Sequence, residues 1–391
     1  MIQTSTTIMH IIFLIFSGTA VLATIALFTR QSLLVAYMAL GAILGPWGLK
    51  LIGDSALVAQ SGDIGIVFLL FLLGLDLQPQ NLLHSFRKMN FITFISSSIF
   101  FAMGFIIGWF FKFTLTECLV IGAAVMFSST IIGLKLLPTT ILHHQHTGEL
   151  MISILLLQDI IAIVVLLALQ GIGDRILSFH DIGYILGAFP LLILTGYIFQ
   201  RFVLAKLLML FDRIHEYIFI LSIGWCLCMA ELSHFMGLSE EIGAFIAGIS
   251  LATHPVSLYI AESLKPLRDF FLVIFFFSIG AAFNFNYLPI VWLPAIIIAA
   301  TTLLVKPLVF RQLLIRNNET PVVGSEIGIR LGQMSEFSLL IISLALQANL
   351  VSAGVSYTIQ AAAILTFIVS CYWVVMRYPT PLATTEKLRR D

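Results

Sequence analysis

Runs of about twenty apolar residues follow one another along nearly the whole chain, and short polar stretches separate them. Inside hydrocarbon no water is present to bond the backbone amides, so such a segment must be a helix. Only 10% of the residues are charged, whereas soluble domains carry about 25%. The sequence therefore predicts an all-α polytopic membrane protein. Its roughly thirteen transmembrane segments fall at 9–28, 33–49, 56–76, 91–111, 117–137, 150–170, 183–205, 215–236, 240–258, 270–286, 289–311, 324–347 and 354–376.

Basic residues are unevenly divided between alternate loops. If the N-terminus lies outside, the outer loops receive only Lys50, Lys112 and Arg175, and the inner side receives most of the others. Cytoplasmic loops are enriched in Lys and Arg. We therefore predict a multi-pass protein of the inner (plasma) membrane with an outer N-terminus and a cytoplasmic C-terminus. No Lys or Arg precedes Arg30, so we expect the first segment to be a retained helix rather than a signal peptide.

Composition also limits which partners and bound groups we expect. The formal net charge is zero, which gives no reason to expect nucleic acid. The four cysteines lie in or beside apolar segments, and we interpret them as reduced packing residues. We expect the lipid bilayer as the surroundings, and neither a cofactor nor a resident metal.

A weak internal repeat runs through the chain. DIGIVFLLFLLGLD begins at Asp63, DFFLVIFFFSIGAA begins at Asp269, and the same spacing carries Ser129 onto Ser335. GAILG at 41–45 also resembles GAFIA at 243–247. Segments 2, 3 and 5 thus correspond to segments 9, 10 and 12. Because this shift is an odd number of segments, the two halves have opposite orientations, which is typical of transporters.

Polar side chains lie near the middle of three segments. Segment 6 carries Gln158 and Asp159 in the apolar stretch SILLLQDIIAIVV. Two further clusters lie in segment 5, with Ser128, Ser129 and Thr130, and in segment 12, with Gly332, Gln333, Ser335 and Glu336. A charge at this depth costs at least ~2.5–3.5 kcal/mol. Small polar side chains can satisfy the backbone of a broken helix, so we predict that segments 5 and 12 unwind at mid-depth. The alternative is that these hydroxyls bond back to their own helices.

Two basic residues lie inside segments rather than in loops. Lys306 is close enough to the middle of segment 11 to pair with Asp159, or it can extend to the inner surface. Arg330 lies nearer the inner end of segment 12, where it can pair with Glu336 or act as a structural anchor. We expect both residues to compensate charge at the site.

Asp159 is the candidate ion-binding acid. One carboxylate can hold a monovalent cation or a proton but not both, and this mutual exclusion is the simplest physical basis for antiport. Gln158 supplies a neutral carbonyl beside it. The alternative is a structural hydrogen bond that fixes helix packing.

Seven motifs follow one another in order: GAILGPWGL at 41–49, DIGIVFLLFLLGLDL at 63–77, SSTIIGLKLL at 128–137, LLLQDIIAI at 155–163, GLSEEIGAFIAG at 237–248, LRDFFLVIFFFSIG at 267–280 and LGQMSEF at 331–337. Together they resemble the membrane domain of the monovalent cation:proton antiporter-2 family, particularly its Kef-type potassium efflux members. The Gln-Asp pair is typical of the Kef-like branch. The resemblance implies thirteen spans, crossed broken helices and a homodimer whose core moves like an elevator. It makes Asp159 the ion-binding acid, Gln158 its partner and Lys306 the core lysine.

The resemblance also implies a division of the chain. We expect a transmembrane domain at 1–378, with segments 1–3 and 8–10 mainly in dimerisation and segments 4–6 and 11–13 mainly in the core. Residues 379–391 are expected to form a short cytoplasmic tail. Kef-type proteins usually continue into a nucleotide-binding domain, but no G-x-G-x-x-G occurs here. We therefore expect no such domain in this chain, although a separate regulatory subunit can supply one.

The predicted function is transport rather than enzymatic catalysis. We expect exchange of a monovalent cation for protons by alternating access, with K+ favoured over Na+ through the resemblance alone. Three alternatives stay open: a sodium-coupled organic-anion carrier of the same fold, a partner-gated channel-like efflux protein, and a membrane sensor that transports nothing.

Overall fold

A computed structural model describes residues 8–52, 55–76, 79–137, 146–173, 179–211, 214–252 and 257–380. These residues are nearly all helical. The α-helices are α1 (Ile8–Phe28), α2 (Leu33–Leu44), α3 (Ser55–Asp76), α4 (Pro79–Phe110), α5 (Leu115–Val125), α6 (Thr130–Lys135), α7 (His146–Gly173), α8 (Phe179–Phe199), α9 (Ala205–Leu210), α10 (His215–Phe235), α11 (Glu240–Ala252), α12 (Ser257–Ala282), α13 (Leu288–Arg316), α14 (Pro321–Arg330), α15 (Glu336–Gln347) and α16 (Ala353–Arg377).

Each predicted segment coincides with one described helix or with consecutive described helices. Within the described part of the chain, 7 helices are long and apolar enough to cross a membrane by themselves, and shorter apolar helices accompany them. The predicted all-α polytopic fold is therefore confirmed. The orientation of the termini stays a prediction. α4 and α12 begin well before their apolar runs, because a helix can continue through charged residues once it leaves the hydrocarbon.

Several helices end in short turns whose backbone adopts the left-handed conformation. Arg30, Lys50, Lys112, Asn318 and Asn349 all have φ between 55° and 66°. The residue after a helix commonly takes this conformation, which turns the chain sharply and satisfies the last carbonyls. These turns explain how so many helices fit into 391 residues.

The chain divides into two compact units. The first contains residues 1–16, 41–83 and 170–282, and the second contains residues 17–40, 84–169 and 283–391. In the first unit α3 packs against α11 and α12. In the second unit α13 packs against α14 and α16, and α5 packs against α15 and α16. Every residue predicted for the site belongs to the second unit.

Glycine contacts in the first unit follow the internal repeat. A Cβ atom on Gly41 would overlap the carbonyl oxygen of Phe277, and one on Gly248 would overlap that of Phe71. Phe71 and Phe277 have the same spacing as Asp63 and Asp269. The repeat is therefore present in the packing, but Gly41 matches Gly248. The alignment of GAILG with GAFIA suggested from sequence was displaced by a few residues, because short apolar motifs match without reporting contacts.

Candidate functional site

Segments 5 and 12 are each broken into two helices. α5 ends at Val125 before α6 begins at Thr130, and α14 ends at Arg330 before α15 begins at Glu336. Each second helix has a serine at its N-cap: the backbone N–H of Ile132 donates to Ser129 Oγ at 3.1 Å. The N–H of Phe337 donates to Ser335 Oγ, also at 3.1 Å. The predicted unwinding is confirmed, because these two hydroxyls cap broken helices rather than bonding back within a continuous helix.

The two breaks contact each other. Ser128 Oγ donates to the carbonyl of Leu331 at 2.8 Å, and Ser338 Oγ donates to the carbonyl of Ala124 at 2.5 Å. The side-chain amide of Gln333 lies 3.5 Å from the carbonyl of Ser129. Each break therefore supplies hydrogen-bond partners for backbone groups that the other leaves open, as burial away from water requires.

Neighbouring helices satisfy one amide in each break. The backbone N–H of Ser128 donates to Gln158 Oε1 on α7 at 3.0 Å. The N–H of Met334 donates to Thr366 Oγ1 on α16 at 3.2 Å. Ser128 and Met334 have the spacing of the internal repeat. Gln158 and Thr366 therefore have the same role in the two halves, which is to accept a hydrogen bond from the corresponding backbone amide. Gln158 thereby orients the first break.

Asp159 follows Gln158 on α7 and is 2% exposed. Thr130 Oγ1, on the first residue of α6, donates to Asp159 Oδ1 at 3.4 Å. At the spacing of the internal repeat, Asp159 corresponds to the apolar residue Leu365. The two halves thus differ at the candidate ion-binding residue.

Lys306 is fully buried on α13. Its Nζ donates to the carbonyl of Phe127 at 2.5 Å and to that of Gln333 at 3.1 Å, and it lies 3.5 Å from Ser128 Oγ. Three acceptors match the three N–H donors of an ammonium group. Both carbonyls follow the C-terminal end of a half-helix, where the partial charge is negative. Lys306 therefore compensates the two breaks.

The predicted pair between Lys306 and Asp159 stays a prediction. The structure adds the carbonyls of the two breaks as acceptors for the Lys306 ammonium group. Extension of Lys306 to the inner surface is wrong, because this ammonium group is buried between the two breaks.

The contacts of Arg330 are those of a structural anchor, one of the two roles predicted for it, and the pair with Glu336 stays a prediction. Its guanidinium donates to Glu326 Oε1 at 2.9 Å, to the carbonyl of Leu136 at 3.0 Å and to that of Pro379 at 2.9 Å. It also lies over the ring of Tyr378. Its described ion pair is with Glu326. Glu336 instead begins α15, where a carboxylate favours the positive end of the helix.

The structure therefore brings together Ser128, Ser129, Thr130, Gln158, Asp159, Lys306 and Ser335 at the crossing of the breaks. Gln333, which belongs to the polar cluster predicted for segment 12, lies there as well. Three further residues were not singled out from the sequence: Ser338, Thr366 and Glu117. The sequence could have predicted the capping role of Glu117, because Thr114-x-x-Glu117 is a capping-box pattern before an apolar run. Thr366 has no signal in the sequence, because a single threonine in an apolar segment does not stand out.

Comparison with known proteins gives one family. The family model described as "Sodium/hydrogen exchanger, transmembrane" matches residues 12–376. The glutathione-regulated potassium-efflux system protein KefC of Salmonella arizonae is 27% identical over 96% of this chain and 62% of its own length. K(+) efflux antiporter 4 of Arabidopsis thaliana is 27% identical over 83% of this chain and 56% of its own. The chain thus spans little more than half the length of these potassium-efflux relatives.

Two further similarities complete the comparison. The iron transporter MagA of Paramagnetospirillum magneticum is 24% identical over 88% of this chain and 80% of its own length. The sodium proton antiporter MjNhaP1 of Methanocaldococcus jannaschii has a similar solved structure, with a TM-score of 0.69 and 16% identity over 93% of this chain and 95% of that chain. At this identity the likeness concerns the fold.

Proposed function

From the premise that this chain belongs to the sodium/hydrogen exchanger transmembrane family, we propose that it is a secondary active transporter exchanging a monovalent cation for protons. The observation that supports this proposal most is the position of Asp159. It is a buried carboxylate within a membrane-spanning helix, beside the first residue of a broken helix. A buried acid at this depth is costly, which makes a functional role the default interpretation.

The proposed cycle uses Asp159 as a shared site. The carboxylate binds a cation when the site faces one side and a proton when it faces the other. Thr130 Oγ1 is already oriented toward this carboxylate. Lys306 keeps the breaks in place through the carbonyls of Phe127 and Gln333, and a cation or proton that arrives at Asp159 displaces Lys306 from that carboxylate in the proposed cycle.

Potassium is the proposed cargo, with sodium as the other candidate. The two potassium-efflux relatives support potassium through their names, and the family description supports sodium. Iron appears in the name of MagA. A single carboxylate balances one positive charge, which favours a monovalent cargo over an iron ion. A homodimer, with or without a separate regulatory subunit, completes the proposal.

Proton-coupled flux in proteoliposomes tests this function. A pH gradient is imposed, K+ or Na+ is added in turn, and wild type is compared with Asp159→Asn. The matched control is Glu149→Gln, because Glu149 lies at the start of the same helix with its side chain 77% exposed. We expect cation-evoked proton movement in wild type and in the control, and its loss in Asp159→Asn.

Each other outcome has a definite meaning. Movement that persists in Asp159→Asn contradicts the shared carboxylate and directs attention to Glu336. A wild type that responds to neither cation contradicts monovalent cation exchange. The cation that evokes the larger proton movement identifies the preferred substrate.

A further inference from the structure

Glu117 caps two helices at once. Its Oε2 accepts hydrogen bonds from the backbone N–H of Thr114 at 2.9 Å and from Thr114 Oγ1 at 3.0 Å. Its Oε1 accepts from the N–H of Ser352 at 3.1 Å and from Ser352 Oγ at 2.6 Å. Thr114 is the N-cap of α5 and Ser352 is the N-cap of α16. One buried carboxylate thus joins the N-terminal ends of α5 and α16.

Arg330 makes the corresponding connection at the other end. The carbonyl of Leu136 directly follows α6, and the carbonyl of Pro379 follows α16. Arg330 itself is the last residue of α14. One buried guanidinium thus joins the C-terminal ends of three helices.

The signs of the two charges suit their positions. The N-terminal end of a helix carries a partial positive charge and favours a carboxylate, whereas the C-terminal end favours a cation. Glu117 lies at two N-terminal ends and Arg330 at three C-terminal ends. Broken segment 5, which is α5 followed by α6, is therefore fastened to α16 at both of its ends.

We propose that Glu117 and Arg330 are positioning residues, a two-ended clamp that fixes broken segment 5 against α16 and thereby sets the strength of cation binding at Asp159. The part that concerns cation binding rests on the proposed function. The hydrogen bonds of Glu117 and Arg330 run to the ends of helices, so both residues act through the position of α5 and α6.

Because α6 is short, its position depends strongly on contacts at its two ends. A helix of 6 residues is about 9 Å long at a rise of ~1.5 Å per residue, and it has few internal hydrogen bonds to hold it. Ser129 fixes its first turn and Arg330 fixes the carbonyl just beyond its last. Thr130, which contacts Asp159, is its first residue. Release of the distal end lets α6 shift, and Thr130 shifts with it.

The test compares Glu117→Gln and Arg330→Gln with two matched controls. Glu240→Gln changes an exposed acid in the first turn of α11. Arg316→Gln changes an exposed arginine in the last turn of α13. Both controls alter a charge that suits a helix end, without any described contact to segment 5. Cation-dependent flux is measured across concentrations, and backbone amide exchange of residues 128–137 is measured by mass spectrometry.

We expect both clamp variants to raise the KM for the cation at least about threefold, with a smaller change in the maximal rate per folded protein. Amide exchange in residues 128–137, which include the N–H groups of Gly133 and Leu136, should become about tenfold faster. The controls should change neither quantity. A residue with a merely structural role would lower the amount of folded protein and leave KM as in wild type.

The outcomes separate the clamp from the proposed function. Unchanged amide exchange in the clamp variants overturns the clamp, whatever the wild type transports. Faster exchange with an unchanged KM overturns its effect on cation binding. A wild type without cation-coupled flux overturns the proposed function, and the exchange rates alone then decide the clamp.

Two milder variants cover the case in which a clamp variant fails to fold. Ser352→Ala removes the 2.6 Å contact with Glu117 but keeps the backbone N–H of residue 352. Glu326→Gln weakens the hold on Arg330, since Glu326 Oε1 is its carboxylate partner. Each should give a smaller change of the same sign in KM and in amide exchange. No change in either variant overturns the clamp.

Discussion

At the scale of single residues, Lys306 shows how main-chain carbonyls help to hold a buried ammonium group. Its ammonium group is held by two main-chain carbonyls and a serine hydroxyl, and it lies 5.3 Å from the centre of the Phe100 ring. Carbonyls at the ends of two half-helices carry partial negative charge, and the low dielectric of the interior strengthens their attraction. Lys306 is therefore part of the framework that keeps both breaks open.

Lys306→Met should destabilise the protein strongly. The carbonyls of Phe127 and Gln333 lose a donor, and each buried acceptor left without one costs roughly 1–3 kcal/mol. Thermal unfolding in detergent measures the change, with Lys265→Met as the control, because the Lys265 side chain is 56% exposed. A Tm equal to that of the control would show that these carbonyls do not depend on Lys306.

At the scale of elements, the breaks depend on their serine caps. The N-cap Ser335 accepts from the N–H of Phe337, and its own N–H donates to Ser338 Oγ at 3.2 Å. Ser338 Oγ also reaches the carbonyl of Ala124 in the other break. The cap of α15 is therefore linked through a single hydroxyl to the end of α5.

Ser335→Ala should cost about 1 kcal/mol, within the usual range for loss of an N-cap side chain. Ser325→Ala is the matched control, because that hydroxyl is exposed and only bonds back to the carbonyl of Pro321 in its own helix. The difference in Tm between the two variants measures the cap. Equal Tm values would mean that α15 keeps its first turn without the hydroxyl of Ser335.

The elements also show what sequence can and cannot reveal. Both breaks were predictable, because clusters such as Ser128–Thr130 stand out in apolar segments. Asp159 stood out for the same reason. The carbonyl partners of Lys306 were not predictable, because main-chain acceptors leave no mark in the pattern of side chains. The match of Gly41 with Gly248 needed contacts, since small residues are frequent in membrane helices.

At the scale of the whole molecule, the internal repeat occurs in both compact units. In the second unit it relates the capped amides of Ser128 and Met334. The same spacing relates Phe100 to Lys306, and these two side chains are in contact. At that spacing Asp159 corresponds to an apolar residue, Leu365. Lys306 and Asp159 thus lie where the halves differ, so the repeat supplies the framework and its departures place charged side chains within it.

In the first unit the repeat predicts matched costs for two glycine substitutions. Gly41→Ala and Gly248→Ala each force a Cβ against a helix carbonyl, and each new Cβ would also lie 2.8 Å from a backbone nitrogen, that of Ala281 or that of Leu75. Overpacking of this kind typically costs about 1–3 kcal/mol. We expect the two variants to lower Tm by similar amounts.

Gly187→Ala and Gly224→Ala are the controls, because a Cβ at either position meets nothing within 4 Å. Alanine is favoured over glycine in helices by up to about 1 kcal/mol, so the controls should unfold at or above the Tm of wild type. Similar losses for Gly41 and Gly248 would show that both halves pack their helices through the same contact. A loss at only one of the two positions would mean that the halves have diverged in packing as well as in charge.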